Sequence, residues 1–317
     1  MGRKISTLVS FLFYYFIVLP ISLLPLWVIY LLTDFIYFIF RYIYPYRKDV
    51  IRKNIKHSFP EKSHENRKKI HFGFYRHLTD LLAESIKNIS ISKTELKTRI
   101  KVKNPEVMND LFQQGKNVLL VSGHYNNWEF MITVQNLILK HKAVGIGMPL
   151  SNAFWQKKLN QRRARFGMKI ITSHEVPDFF SKIHPKPIAT LILSDQSPGD
   201  FRKSYWMTFL NQATAVTFGC EYLAHKYNHS VVFFNIKKEK RGHYVIEFTP
   251  VCITPSSMEW GEITEIHTKK LELAIQSNPN YWLWSHNRWK RRIPEDIEVL
   301  KQAQKEKFDA TFKGITN

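Results

Sequence analysis

The sequence contains very little cysteine, since Cys220 and Cys252 are the only two among 317 residues. So few cysteines exclude a disulfide framework and fit a reducing compartment best. No cluster of Cys and His has the spacing of a zinc site, so the sequence suggests no metal, and we expect no cofactor. Internal repeats and low-complexity segments are also lacking. The length suits one large domain with an attachment segment, or two small domains.

Acidic residues are scarce in comparison with basic ones. The chain has 26 Asp and Glu against 47 Lys and Arg, for a formal net charge of +21. Such an excess favours an anionic partner, which would be a nucleic acid, an anionic membrane surface or an acidic carrier protein.

Charge is absent from the whole stretch between Ile5 and Thr33, which is dominated by Leu, Ile, Val, Phe and Tyr. The run exceeds the roughly 20 residues that cross a bilayer. It is long for a cleaved signal peptide and lacks a small-residue cleavage site. Pro20 and Pro25 would kink a spanning helix or break it into a re-entrant hairpin. A buried core helix is the alternative, but the length favours a membrane anchor.

The basic residues that flank this run predict its orientation. Arg3 and Lys4 precede it, and the heavier group follows it: Arg41, Arg47, Lys48, Arg52 and Lys53. The positive-inside rule then puts the main domain in the cytoplasm, on the inner membrane, where the cations suit an anionic leaflet. We expect an anchor over residues 1–45, a domain over 46–295 and a charged, helical tail over 296–317.

The rest of the chain predicts an α/β fold with a largely parallel central sheet flanked by helices. Residues 48–90 are charged, with apolar residues at helical spacing, which indicates two amphipathic helices split at 59–63. Further on, short apolar runs alternate with helical stretches, as in βαβ units. The predicted strands are 118–121, 143–148, 168–171, 188–193, 231–236 and 244–249, the last two forming an antiparallel hairpin. The predicted helices lie near 127–140, 152–165, 174–183 and 216–228.

The most informative segment follows the apolar run 117–123, where His124 precedes Glu129 by five residues. Neutral imidazole accepts a proton near physiological pH, and a nearby carboxylate stabilises the imidazolium. Because five residues turn about 500° on a continuous helix, the two would not share a helix face. His124 is therefore predicted in a strand-to-helix turn, with Asn126 or Asn127 capping the helix that carries Glu129. The alternative is a histidine in a polar loop and a glutamate on a solvated helix face.

A second polar pair, Asp195 and Gln196, follows the apolar run 189–194. Sites in open α/β sheets form at the carboxyl ends of the strands, so Asp195 and His124 would converge on one crevice. The alternative is a cap or turn residue, because the segment Asp-Gln-Ser-Pro-Gly is rich in turn formers.

Two basic clusters are the last of the candidate functional segments in the sequence. Arg162, Arg163 and Arg165 lie beside a predicted strand, where they would bind phosphate bidentately or simply end a solvated helix. Residues 281–292 interleave aromatic residues with cations, which is typical of a base-stacking surface or of a membrane interface. The anchor favours the membrane, and we expect no nucleic-acid partner.

In this order, the clusters resemble the lysophospholipid acyltransferase superfamily, and more closely its lipid A biosynthesis (late) acyltransferase branch. The resemblance runs from the anchor to about Lys290. It rests on Phe59-Pro60-Glu61, on Gly123-His124 with Glu129 as H-x4-E, on Arg163-Ala164-Arg165-Phe166-Gly167 as R-x-R-x-G, on Asp195-Gln196, on the apolar loop 209–215 and on the closing phrase 281–290.

Two departures from related patterns are informative. The glycerolipid branch usually carries H-x4-D followed by a Phe-Pro-Glu-Gly-Thr-type block, whereas here the carboxylate is Glu129 and Phe-Pro-Glu precedes the histidine. This argues against a glycerol-phosphate acyltransferase. The segment 124–129 is also more polar than in the best-known lipid A enzymes, so an aminolipid or another lysolipid is an alternative acceptor.

The resemblance implies O-acyl transfer from a thioester of acyl carrier protein or CoA to a hydroxyl of a membrane lipid, a lipid A precursor. His124 would take the hydroxyl proton, and Glu129 would hold the imidazole and stabilise its charged form. Because the substrate supplies the nucleophile, no serine elbow is needed, and none is present.

Four further residues of the resemblance would bind the substrates or support the site. Arg165 or backbone N–H groups would stabilise the oxyanion, Arg162 and Gln196 would bind substrate or oxyanion, and Asp195 would support the site or orient the acceptor. The basic surface would dock an acidic carrier protein and the anionic headgroup of the acceptor. A membrane-anchored nucleic-acid-binding protein and a lipid-binding scaffold without chemistry are the alternatives from other classes.

Overall fold

The computed structural model describes residues 2–148 and 150–314, with side chains from Thr7 onward except at Pro149. The side chains of Arg3 and Lys4, which entered the orientation argument, and the tail residues 315–317 lie outside the described residues. The helices are α1 Gly2–Phe13, α2 Leu19–Leu23, α3 Leu26–Phe38, α4 Lys48–Ser58, α5 His64–Lys87, α6 Lys93–Arg99, α7 Glu106–Gln113, α8 Trp128–Ile138, α9 Ala153–Ala164, α10 Val176–Phe180, α11 Gly219–Tyr227, α12 Glu262–Ser277 and α13 Ile297–Phe312. The strands are β1 Ile100–Val102, β2 Val118–Ser122, β3 Lys142–Gly147, β4 Lys169–Thr172, β5 Ile188–Leu193, β6 Tyr205–Phe209, β7 Gln212–Val216, β8 Ser230–Lys240 and β9 His243–Cys252.

A seven-stranded sheet with the order β1-β9-β8-β2-β5-β3-β4 forms the centre of the molecule. Its neighbours pair in parallel except for the antiparallel hairpin of β8 and β9. β2 is buried along its whole length, as expected of a strand covered by helices on both faces. The α/β fold class and the hairpin are therefore confirmed.

A small second sheet replaces the expected apolar loop at 209–215. β6 and β7 pair antiparallel across Leu210 and Asn211, both of which have positive φ angles, of 49° and 62°. Asn tolerates this left-handed conformation, and the two-residue turn closes a tight hairpin. The stretch is therefore a β-hairpin whose turn is buried at Leu210 and exposed at Asn211.

The N-terminal region consists of two apolar helical segments that meet at Leu24 and Pro25. Pro20 lies inside a continuous helix in which α1 passes through the π-helical segment Tyr14–Val18 into α2, and this helix ends at Leu24, directly before Pro25. Residues Leu26–Ile43 form one helix long and apolar enough to cross a membrane, and the apolar helix Thr7–Leu23 is shorter.

The C-terminal end of α5 is a polar junction between this N-terminal region and the rest of the protein. Glu84 is fully buried, and its carboxylate accepts hydrogen bonds from Tyr30 of α3 and Tyr244 of β9, each at 2.7 Å, and from the amide of Asn127. Lys87 donates to the carbonyl of Leu24 at 3.0 Å. The apolar N-terminal helices are thus bonded to the same helix that supports the start of α8.

Candidate active site

The register of the sheet brings His124 and Asp195 together. β2 and β5 are parallel neighbours in which Ser122 lies opposite Leu193, and both strands end there. His124 and Asp195 each follow two residues later, so both leave the sheet at the same carboxyl-terminal edge. The expected convergence of the two polar clusters is what the structure shows.

His124 is bonded to Asp195 through both its ring and its backbone. Nδ1 of the imidazole lies 2.7 Å from Oδ1 of Asp195, and the backbone N–H of His124 donates to Oδ2 at 2.9 Å. Since a carboxylate only accepts hydrogen bonds, Nδ1 carries the proton and Nε2 presents its lone pair. The His124 side chain is 17% exposed. The ring also packs edge-on against Trp128, with 5.0 Å between centroids.

Asp195 is buried and remains ionised because of its partners. Its side chain is 2% exposed, and burial alone would raise the pKa. The charge of His124 and the hydrogen bonds from His124 and Trp282 outweigh burial and lower the pKa of Asp195 to about 2. Nε1 of Trp282 donates to Oδ2 at 2.8 Å. The carboxylate is therefore a fixed negative charge behind the imidazole.

The turn that carries His124 is shaped by the two asparagines that follow it. Asn126 has a φ of 52°, and its amide donates to the carbonyl of Ile236 at 2.6 Å. The side chain of Asn127 accepts a hydrogen bond from the N–H of Phe130 at 2.8 Å and so caps α8. Of the two proposed caps, Asn127 is confirmed, and Asn126 instead makes the left-handed bend.

Glu129 does not occupy the place expected for it beside the imidazole. Its carboxylate binds Arg162 at 2.6 Å and Arg163 at 2.5 Å, whereas the acceptor on Nδ1 of His124 is Asp195. Glu129 lies in the first turn of α8, and its carboxylate faces α9, which carries both arginines. Burial raises its pKa, but the two guanidinium charges and their hydrogen bonds outweigh burial and lower it to about 2. Glu129 thus joins α8 to α9.

Arg165 does not lie at the position expected of a hydrogen-bond donor to the oxyanion. One of its terminal nitrogens donates to the carbonyls of Asn88 at 3.1 Å and Ile89 at 2.9 Å, just beyond the end of α5. Arg162 donates similarly to the carbonyl of Ser85 at 3.3 Å. These carbonyls attract cations because the C-terminal end of a helix is electronegative. The arginines therefore hold α9 against α5.

Gln196 and His286 complete the surroundings of the histidine. The amide nitrogen of exposed Gln196 lies 3.3 Å from Nε2 of His124. Nε2 of His286 accepts the backbone N–H of Ser197 at 3.0 Å, and burial lowers the pKa of His286. The sequence offered Trp282 and His286 only as members of the closing phrase 281–290 of the resemblance and gave them no role in the site, because the composition there suggested a membrane interface or a base-stacking surface. Only their tertiary contacts reveal that this segment is the wall of the site.

Comparison with known proteins agrees with this arrangement. The model of a bacterial lipid A biosynthesis acyltransferase family matches residues 3–291, which is most of the chain and includes every residue of the site. A search of curated proteins gave no match. By the extent of the family match, this chain belongs to the bacterial lipid A biosynthesis acyltransferases.

Proposed function

We propose that this acyltransferase moves a fatty acyl group from a thioester to a hydroxyl of a lipid A precursor, with His124 as general base. The observation that carries the proposal is the pair formed by His124 and Asp195. The buried carboxylate fixes the tautomer in which Nε2 of His124 accepts a proton, and it stabilises the imidazolium that results.

The reaction then needs no protein nucleophile. Nε2 takes the proton of the acceptor hydroxyl while the oxygen attacks the thioester carbonyl, which forms a tetrahedral oxyanion. When this intermediate collapses, the C–S bond breaks, and the imidazolium returns the proton to the departing thiolate. The products are an ester and a free thiol, and His124 is neutral again. Asp195 stays ionised throughout, since its pKa is about 2.

We assign the remaining residues by where they lie. Gln196 is the best-placed side-chain donor for the oxyanion, because its amide lies beside Nε2 of His124 and is exposed. Glu129 is a positioning residue, because it fixes Arg162 and Arg163 rather than the imidazole. Asp195 takes over the orienting role that the H-x4-E spacing suggested for Glu129.

The apolar N-terminal helices support attachment to the inner membrane with the site on the cytoplasmic side. Trp27, Leu31 and Phe35 project from α3 with 59–67% of their surfaces exposed, which leaves an apolar stripe without protein cover. A lipid acceptor would reach the site from this bilayer, and the soluble thioester would arrive on acyl carrier protein or CoA from the cytoplasm.

Acyl transfer by the purified full-length protein in maltoside micelles tests the proposal. Labelled acyl carrier protein and CoA thioesters are offered with a lipid A precursor, an aminolipid and a lysolipid as acceptors. We expect transfer to the lipid A precursor, abolished in His124→Ala and unchanged in His174→Ala, which alters an exposed histidine in a turn. Acyl transfer retained in His124→Ala would refute the role of His124 as general base. Transfer to another acceptor alone would refute the lipid A assignment, and its absence with every acceptor would favour a scaffold.

A further inference from the structure

Helices α4 and α5 enclose a surface pocket of about 290 Å³ whose polar lining is entirely basic. The side chains that supply this lining are Arg52, Lys56, His64, Arg67, Lys68 and His71. Over residues 2–148 and 150–314, no Asp or Glu lines it. Four formal positive charges and two imidazoles are therefore gathered around one concavity, which is an arrangement that attracts an anion.

The cations of this pocket form no ion pair with a described residue, and Arg67 donates instead to the carbonyls of Phe59 and Pro60. Arg52, Lys56 and Lys68 make no salt bridge with any residue that the structure describes. The nearby carboxylate of Glu65 pairs instead with Lys69, outside the pocket, at 3.4 Å. Like charges held close together repel one another unless an anion lies between them. The fold thus maintains a positive concavity that its own carboxylates do not neutralise.

His71 adds a buried hydrogen-bonding group to the lining of the pocket. The residue is 4% exposed, and its Nε2 is buried without a partner among the described residues. Burial, with the charges of Arg52 and Lys48, lowers the pKa of His71 to about 4, so the ring is neutral near pH 7. Buried polar groups in folded proteins are nearly always paired, so an unpaired one in a pocket points to a ligand or water.

The pocket lies next to the end of the apolar helix Leu26–Ile43. Arg41, near the end of the Leu26–Ile43 helix, places its guanidinium 4.7 Å from the ring centroid of Phe72, the residue after His71. Phe40 packs at 5.7 Å against Tyr75, one turn further along α5. The end of this helix therefore lies beside the pocket, which places the pocket at headgroup level when the helix crosses a bilayer.

We propose that this pocket binds a phosphate group, either as a monoester on a lipid headgroup or as the free soluble anion. Guanidinium and ammonium groups make charge-assisted hydrogen bonds to phosphate oxygens, and arginine does so bidentately. The volume is sufficient for one phosphate group and part of what carries it. The proposal does not depend on chemistry at His124, because binding is measured without a thioester donor, so the two can fail separately.

Titration of the full-length protein in maltoside with dihexanoyl phosphatidic acid tests the site by calorimetry. Lys56→Gln/Lys68→Gln removes two lysines of the pocket. Lys53→Gln/Lys69→Gln is the matched control, since it removes two exposed lysines from the same helices outside the pocket. We expect the pocket variant to weaken binding about tenfold and the control less than about twofold. Arg52→Gln provides a second pocket variant with a smaller loss.

Further arms distinguish the source of the phosphate. Competition by inorganic phosphate would support recognition of the free anion, and lipid binding that inorganic phosphate does not displace would support a headgroup site. Equal weakening in the pocket and control variants would overturn the proposal, because it would show general charge attraction. Equal affinity for dihexanoylglycerol, which lacks phosphate, or no binding of either phosphate probe, would overturn it as well.

Discussion

The indole nitrogen of Trp282 donates a 2.8 Å hydrogen bond to Oδ2 of Asp195, the same oxygen that accepts the backbone N–H of His124. With Oδ2 occupied by two N–H donors, Oδ1 is left for the imidazole. An isolated antiparallel β-bridge between the backbones of Trp282 and Tyr125, the residue after the histidine, places Trp282 beside Asp195. The orientation of the carboxylate is therefore set by a residue 87 positions away in the chain.

This arrangement predicts that Asp195→Asn abolishes catalysis without unfolding the protein. The oxygen of the new amide must stay opposite Trp282 and the His124 N–H, since both donate. Its NH₂ group then faces Nδ1, which moves the imidazole proton to Nε2, where it blocks proton uptake. We expect kcat to fall about a thousandfold or more, with little change in KM. Steady-state kinetics measures this, and near wild-type kcat would show that Asp195 does not set the tautomer.

Gln196→Ala and Arg165→Gln separate the two candidates for the oxyanion donor. We expect Gln196→Ala to lower kcat about a hundredfold at unchanged stability, because it removes an exposed amide beside Nε2. Arg165→Gln should lower the free energy of unfolding by about 1–3 kcal/mol, since it removes a charged donor from two carbonyls, and should leave kcat within a few fold. Kinetics and thermal unfolding of both variants check this, and the reverse pattern would restore Arg165 as the donor.

The pKa of about 2 at Glu129 predicts a loss of stability in acid. Because the folded pKa lies below the ordinary value of 4.5, the ion pairs contribute fully above about pH 4.5 and are lost as the pH falls through 2. The shift corresponds to about 3 kcal/mol. Glu129→Gln should therefore unfold at lower temperature than wild type at pH 7, and the gap should close toward pH 2.

The control for this pH series is Glu65→Gln, which changes a glutamate whose side chain is 76% exposed. We expect its unfolding temperature to track that of the wild type throughout. A gap between wild type and Glu129→Gln that stays constant down to pH 2 would mean that packing, rather than charge, accounts for the contribution of Glu129.

Tyr30→Phe tests the junction at Glu84. The change removes one donor from a buried carboxylate, so we expect the free energy of unfolding to fall by about 1–3 kcal/mol. Tyr42→Phe is the matched control, because Tyr42 belongs to the same apolar segment and is 63% exposed. Thermal unfolding in micelles compares them, and equal stability of the two variants would show that the Tyr30 hydroxyl adds nothing.

Local sequence patterns predicted the strands and helices of the site but not which carboxylate accepts the hydrogen bond from His124. The strand before His124 and the cap on α8 follow from residues close in sequence, and the structure confirms both. The partner of the imidazole does not follow from residues close in sequence. β2 and β5 are neighbours in the sheet, but β3 and β4 lie between them in the chain. Spacing alone favoured Glu129, yet the competition of Arg162 and Arg163 for its carboxylate is visible only in three dimensions.

The β6–β7 hairpin was missed for a different reason. Its turn is Leu210-Asn211, without the glycine that marks most two-residue turns, and its flanking residues read as an apolar loop. The basic pocket of α4 and α5 was likewise invisible as a site, since its cations are spread over two helices that looked merely amphipathic.

The bonds at the end of α5 have a consequence for how the protein can be assembled. Glu84 receives its donors from α3, from the cap of α8 and from β9, so the carboxylate is satisfied only when all three are in place. A chain that begins at residue 46 would leave Glu84 short of a donor and Lys87 without its carbonyl at Leu24. The N-terminal helices are thus an integral layer of the fold, joined through Glu84 to the residue that caps α8 directly after the His124 turn.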